Sequence, residues 1–121
     1  MKRWLGLCFG VYAPHMIEES LTRMYDDPLI AAAYAPLSQL SARHAAYLVF
    51  QIMFAALFGS TLLFSLGGRP QRAVMGAIAV ALLAESHHVI RALGTLHYNP
   101  GLVTSLPMPV VGALVLRKVF S

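Results

Sequence analysis

Two short strings in this chain place carboxylates and imidazoles at helical spacing. His15-Met16-Ile17-Glu18-Glu19 sets His15 three residues before Glu18 and four before Glu19. Residues three and four apart share a helix face, so all three side chains can converge. Glu85-Ser86-His87-His88 repeats the device with Glu85 and His88, and Arg91 follows one turn later. Carboxylate oxygen and imidazole nitrogen together suit zinc, iron or manganese. Glu-x-x-His on facing helices is also how di-metal bundles supply their ligands. The expected ligands are His15, Glu18, Glu19, Glu85, His87 and His88, with His44 as a further donor, around one or two divalent ions, iron or zinc. Soluble di-iron bundles use four carboxylates and two such motifs. This chain offers three carboxylates and one Glu-x-x-His, which leaves a mononuclear centre as open as a dinuclear one. Glu18, Glu19, Arg91 and Tyr98 are the candidates for catalysis, a carboxylate serving as general base and Arg91 as a counter-ion. The competing reading is a metal-free, proton-sharing pocket built from the same groups.

The elements that must hold these residues are set by composition. Of 121 residues, 58% are hydrophobic and only 12% are charged, and the mean hydropathy is +0.66. A soluble domain is about 45–50% apolar and about 25% charged, so too little polar surface remains here to coat a globule in water. The composition excludes an ordinary soluble domain, a disordered chain and a soluble coiled coil. It predicts an all-α, polytopic membrane four-helix bundle forming a single domain over residues 1–121. The expected spans are residues 4–24, 42–66, 72–96 and 101–119, each near the ~20 residues that a helix needs to cross hydrocarbon.

Turn chemistry separates the spans. Asp26-Asp27-Pro28 ends the first, a short interfacial helix is expected over Leu29 to Tyr34, and Ser41 reads as the N-cap of the second. Gly67-Gly68-Arg69-Pro70 makes a tight hairpin, and Asn99-Pro100-Gly101 breaks the chain before the last span. The first span resembles a signal peptide in its Lys2-Arg3 start, but Pro14, His15, Glu18 and Glu19 interrupt it and it is read as a retained helix. No internal repeat or low-complexity segment is present in the sequence.

The net charge of +4 is scattered beside apolar runs, as loop charges of a membrane protein are, so no nucleic-acid partner is expected. Lys2, Arg3, Arg69, Arg72, Arg117 and Lys118 fall at one end of the spans, with Asp26, Asp27 and Arg43 at the other and Arg23 and Arg91 near it, six basics against three. That asymmetry predicts N-in/C-in topology in a cytoplasmic (inner) membrane. Lone Cys8 lies in an apolar run and reads as a small core residue. His15 follows Trp4 by eleven residues and Glu85 follows Arg72 by thirteen. At 1.5 Å per residue both lie roughly 16–20 Å from the inner edge, so the two motifs meet in the outer half, with His44, His97 and Tyr98 near the same non-cytoplasmic mouth.

The strings resemble the HXXEE-domain family, a group of small, mostly bacterial membrane proteins. His15-x-x-Glu18-Glu19 matches its first motif. Glu85-Ser86-His87-His88 is similar to its Asn-Ala-x-x-His stretch, and Leu96-His97-Tyr98-Asn99-Pro100-Gly101-Leu102-Val103-Thr104 to its Arg-x-Tyr-x-Pro-Gly turn. Together these cover residues 11–110. Here Ala84-Glu85 stands where the family has Asn-Ala, and His97 or Leu96 stands for its arginine. The resemblance implies that His15, Glu18, Glu19 and His88 are central and says nothing of their chemistry.

The expected function is therefore an integral-membrane metalloenzyme, a hydrolase, isomerase or di-iron-type oxidoreductase. It would act on a small apolar or lipid-like substrate entering among membrane lipids. The alternatives are a non-enzymatic accessory subunit of a larger membrane complex, a homo-oligomeric carrier, or a metal-free proton- or ligand-binding pocket. The polar groups cluster in one half only, which argues against a path across the membrane.

Overall fold

The computed structural model describes residues 1–24 and 28–121, with side chains for all of these except 29–31, 42, 46 and 50. The chain break expected at Asp26-Asp27 lies outside the described residues. In chain order the helices are α1 (Lys2–Leu21), α2 (Pro28–Tyr34), a 3₁₀ turn (Ala35–Gln39), α3 (Ala42–Ser65), α4 (Gly68–Ala84), α5 (His87–Thr95), α6 (Leu102–Ser105) and α7 (Met108–Phe120). No strand occurs among the described residues.

Three helical stretches are long and apolar enough to cross a membrane: α3 from Arg43, α4 continued through α5, and α6 continued through α7. They correspond to the second, third and last expected spans. The first expected span forms α1, a helix of 20 residues. It falls outside this group because its start holds Lys2 and Arg3 and its far turns hold His15, Glu18 and Glu19.

Local chemistry explains the boundaries. Ser41 caps α3, its hydroxyl accepting the His44 N–H at 3.3 Å. The Gly67-Gly68 hairpin uses φ of +70° and +52° at its two glycines, a left-handed conformation that side chains resist. The third span is not one regular helix. At Glu85 and Ser86 the ladder tightens, with Ser86 N–H donating to Leu83 O and His88 N–H to Glu85 O. A 3₁₀ step of this kind inside a helix shifts the phase of the residues beyond it and is common at functional sites.

The core lies between α4 and α7. Met75, Ala79 and Leu82 of α4 pack on Met108, Val111, Val115 and Val119 of α7, and Cys8 of α1 closes the cluster. Small residues allow the close approach. A Cβ on Gly112 would sit 2.8 Å from the Ala79 carbonyl oxygen and 3.1 Å from Leu83 Cγ. α1 packs on α4, α6 and α7, whereas α3 leans chiefly on α4. Ile52, Met53, Phe54, Leu57, Phe58 and Leu62 of α3 are all exposed, a surface suited to lipid and costly in water.

One end of the molecule is basic. Lys2 shares a cavity wall with Phe64 and Val74, and Arg69 and Arg72 share another with Val119 and Phe120. The starts of α1 and α4 therefore lie beside the ends of α3 and α7, where Arg117 and Lys118 occupy the last turn.

Gly112→Val is expected to push α4 and α7 apart and lower stability by about 1–3 kcal/mol. Gly59→Val is its control, since a Cβ at Gly59 meets nothing within 4 Å. Thermal unfolding of both variants in detergent checks the difference.

Candidate metal centre

α1 supplies His15 and Glu19 from one face, and the α4–α5 junction supplies Glu85 and His88. These four residues form a group whose ligand-type atoms all lie within 4.8 Å of one another, so together they could hold a metal ion. The two histidines are fully buried, while the Glu19 and Glu85 side chains keep 25% and 22% exposure. The group is thus closed on its imidazole side and open on its carboxylate side.

The distances follow a pattern. His15 Nε2 lies 3.4 Å from Glu19 Oε1 and 3.3 Å from Glu85 Oε2. His88 Nε2 lies 3.3 Å and 3.4 Å from the same two oxygens. Each nitrogen faces both oxygens at nearly one distance. Charge-assisted hydrogen bonds would be about 2.7–2.9 Å. Ligands held about 2.0–2.1 Å from a tetrahedral ion stand about 3.3–3.4 Å apart along each edge.

The surrounding hydrogen bonds fix which atoms point inward. Asn99 Nδ2 donates to the His88 carbonyl at 2.9 Å, which turns Asn99 Oδ1 toward His88 Nδ1, also at 2.9 Å. An amide oxygen only accepts, so Nδ1 must carry the proton. His15 is fixed by a different route. Thr104 Oγ1 donates its single proton to Glu18 Oε2 at 2.5 Å, so toward His15 Nδ1, 3.1 Å away, it can only accept. Both rings therefore carry a proton on Nδ1 and turn Nε2 toward the group. Those two Nε2 atoms are buried and have no hydrogen-bond partner. Each faces carboxylate oxygens, a set of nitrogen and oxygen donors that a cation between them would satisfy.

Glu18 has a separate position. Its carboxylate accepts from the Tyr98 hydroxyl at 2.7 Å, Val103 N–H at 3.2 Å, Thr104 N–H at 2.8 Å and the Thr104 hydroxyl. It caps α6 across the chain, because the N-cap residue of that helix is Gly101 and offers no side chain. Desolvation of the Tyr98 hydroxyl and its bond to Glu18 push the phenol's pKa up, which keeps it a donor to that carboxylate through neutral pH.

The other sequence candidates are placed outside the four-residue group. His87 is half exposed, with Nδ1 3.0 Å from the Ala84 carbonyl and 3.8 Å from Glu85 Oε2. His44 sits at the start of α3 with Nδ1 3.1 Å from Ser41 Oγ. Exposed His97 turns Nδ1 back to the Thr95 carbonyl at 2.6 Å. Arg91 lies partly buried on α5, one turn past His88.

Asn99, expected with His97 and Tyr98 in the turn over this end, acquires a specific role here, and two residues emerge that residue spacing alone did not single out for the site: Thr104 and Gly101. Their signal was the Asn99-Pro100-Gly101 turn and the Leu96–Thr104 stretch around it. Leu96 with φ +54° and Gly101 with φ +84° bracket this turn and bring Asn99 back onto His88. A Cβ on Gly101 would stand 2.7 Å from His15 Cε1, 2.9 Å from His88 Cε1 and 3.1 Å from Glu19 Cγ.

Gly101→Ala therefore meets both a forbidden backbone conformation and three side chains of the group. It is expected to destabilise the protein by more than about 1 kcal/mol, whereas Gly94→Ala, on open α5 surface, leaves stability unchanged or slightly raised. Thermal unfolding checks the pair.

A family model described as a protein of unknown function with HXXEE motif matches residues 6–116. No curated protein and no solved structure matches the chain. The family match runs from the second turn of α1 into the last turns of α7 and contains every residue of the four-residue group. By that match the chain belongs to the HXXEE family.

Proposed function

We propose that this protein is an integral-membrane metalloenzyme. His15, Glu19, Glu85 and His88 hold one divalent ion, zinc or iron, in the outer half of the bilayer. The observation that carries this reading is the pair of buried histidines whose unpartnered Nε2 atoms each meet the same two carboxylate oxygens at 3.3–3.4 Å. Two nitrogens and two oxygens are a donor set that both metals accept. Zinc would supply Lewis-acid chemistry there, and iron would supply oxygen chemistry.

The chain's own residues divide the remaining work. Asn99 and Thr104 orient the two imidazoles, and Glu18 with Tyr98 anchors the turn that carries them. Glu19 and Glu85 border the open side, where a carboxylate can take a proton from substrate. His87 lies between solvent and Glu85 and is placed to carry that proton outward. Arg91 supplies positive charge one turn beyond. His44, on a helix that leans away from the group, would reach it only through a second copy or another subunit. The substrate is a small apolar or lipid-like molecule, since the open side faces the apolar surface between α1 and α4.

The basic end carrying Lys2, Arg3, Arg69, Arg72, Arg117 and Lys118 favours N-in/C-in insertion in a cytoplasmic membrane, with the site toward the opposite face. α1 completes a four-span bundle when His15, Glu18 and Glu19 are screened by their partners rather than by water. A metal-free, proton-sharing pocket is the weaker reading. A proton shared between imidazole and carboxylate would draw the atoms to about 2.7–2.9 Å.

Plasma mass spectrometry of protein purified in detergent without chelators is expected to find close to one equivalent of iron or zinc. His15→Ala and Glu19→Gln should lose it while remaining helical. Asn99→Ala and Thr104→Ala should retain the site with affinity lowered about 10–100-fold, the usual effect of removing a partner that orients a ligand. No metal above background in the folded wild type sinks the proposal.

A further inference from the structure

Beside the His/Glu group runs a groove that the ligand set does not explain. α1 and α3 stand on either side of α4, and α4 forms the floor between them. One cavity of about 570 Å³ lies toward the basic end, with Lys2, Leu5 and Phe9 on one wall and Leu57 and Phe64 on the other. A second, of about 250 Å³, continues along α1 and α4 to Tyr12 and Glu85. Leu5, Phe9 and Ile78 line both, so the two cavities adjoin along α1 and α4.

Its register is regular. Leu5, Phe9 and Tyr12 are spaced four and three apart on α1, while Val74, Ile78, Ala81 and Glu85 descend the facing stripe of α4 at four, three and four. Gly6 widens the channel where a Cβ would meet nothing within 4 Å. The walls are almost wholly apolar, and the two charged residues along it, Lys2 and Glu85, mark opposite ends. From Lys2 to Tyr12 the helix rises about 15 Å, roughly the length of a dozen methylenes laid end to end.

We propose that this groove binds one long-chain fatty acid, its carboxylate at Lys2 and its alkyl chain running along α1 and α4 to Glu85. Charge complementarity fixes the direction: an anionic head pairs with Lys2 and is repelled by Glu85. Length fixes what arrives at the His/Glu group, which is mid-chain carbon and not the head. Leu5 and Phe9 on one side and Leu57 and Phe64 on the other form a slot floored by Val74 and Ile78. The binding claim stands on the groove alone. Its consequence, presentation of unactivated chain carbon for reaction, rests on the reading of the His/Glu group as a metal centre.

The test is photolabelling of detergent-solubilised full-length protein with palmitic acid carrying a diazirine. In one probe the diazirine lies next to the carboxylate, in the other about a dozen carbons along. Peptide mass spectrometry then maps the adducts. The near-carboxylate probe is expected to label residues 2–6, and the far probe Tyr12, Ala81 and Leu82. Excess unlabelled palmitate should abolish both patterns. Gly6→Leu, which fills the slot, should lower labelling about tenfold and leave metal content as in the wild type. Reversed positions of the two probes overturn the proposal, as does labelling indifferent to palmitate or to Gly6→Leu. His15→Ala separates the two readings, because labelling that persists in that variant supports the groove whatever its metal content shows.

Discussion

The structure turns on two buried imidazole nitrogens that face two carboxylates among packed helices. In water such a set would be dispersed by solvation. In a low-dielectric interior, unpaired acceptors facing acceptors are costly unless positive charge lies among them. Asn99, itself clamped to the His88 carbonyl, holds the His88 proton on Nδ1. The Thr104 proton is committed to Glu18, which leaves His15 Nδ1 as the donor to that hydroxyl. A side chain at Gly101 would collide with both rings. What remains is a geometry in which all four donor atoms lie within 4.8 Å of one another, the kind of pre-organisation that a metal ion would require.

The membrane setting accounts for features that would be faults in a soluble domain. The apolar surface of α3 is exposed along its length, yet the helix satisfies its own backbone and needs no partner to be stable in lipid. The tight contact is instead between α4 and α7, where Gly112 lets the backbones approach, as van der Waals packing requires when lipid removes the hydrophobic drive between helices. The site is built at the far end of that contact, where α1 joins through its polar turns. α1 is the least lipophilic of the long helices for the same reason that it is the most informative one. Its two carboxylates serve the His/Glu group and α6.

Much of this was legible in the residues. Hydropathy and turn chemistry located the helices to within a few positions, and the Ser41 cap and Gly67-Gly68 hairpin follow from single residue types. The convergence of His15, Glu19, Glu85 and His88 was legible because helical spacing and matched depth are arithmetic. Three things were not. The break at Glu85-Ser86 has no proline or glycine to announce it, so the third span reads as one helix. The separation of α3 from the site was hidden because depth places His44 near the mouth but says nothing about which helices touch. The roles of Asn99 and Thr104 depend on a turn folding back across the bundle, which spacing along one helix does not encode.

The spacing in His15-x-x-Glu18-Glu19 has a physical reason in this geometry. Successive residues on a helix are turned about 100° apart, so adjacent glutamates fall on either side of the His15 direction and are free to serve different partners. Glu19, four residues after His15, returns almost to the imidazole's direction and joins the ligand group. Glu18, three residues after it, is turned toward the opposite flank and meets the start of α6. There it receives the two backbone N–H groups and the hydroxyl of the segment that fixes His15. One acid thus completes the donor set and its neighbour holds the turn that orients the donors. Exchanging Glu19 for another residue would empty one corner of the group and leave α6 capped. Exchanging Glu18 would leave all four donors present but release Thr104, and through it the tautomer of His15. The two positions therefore separate ligand supply from ligand orientation, although they are consecutive in the chain.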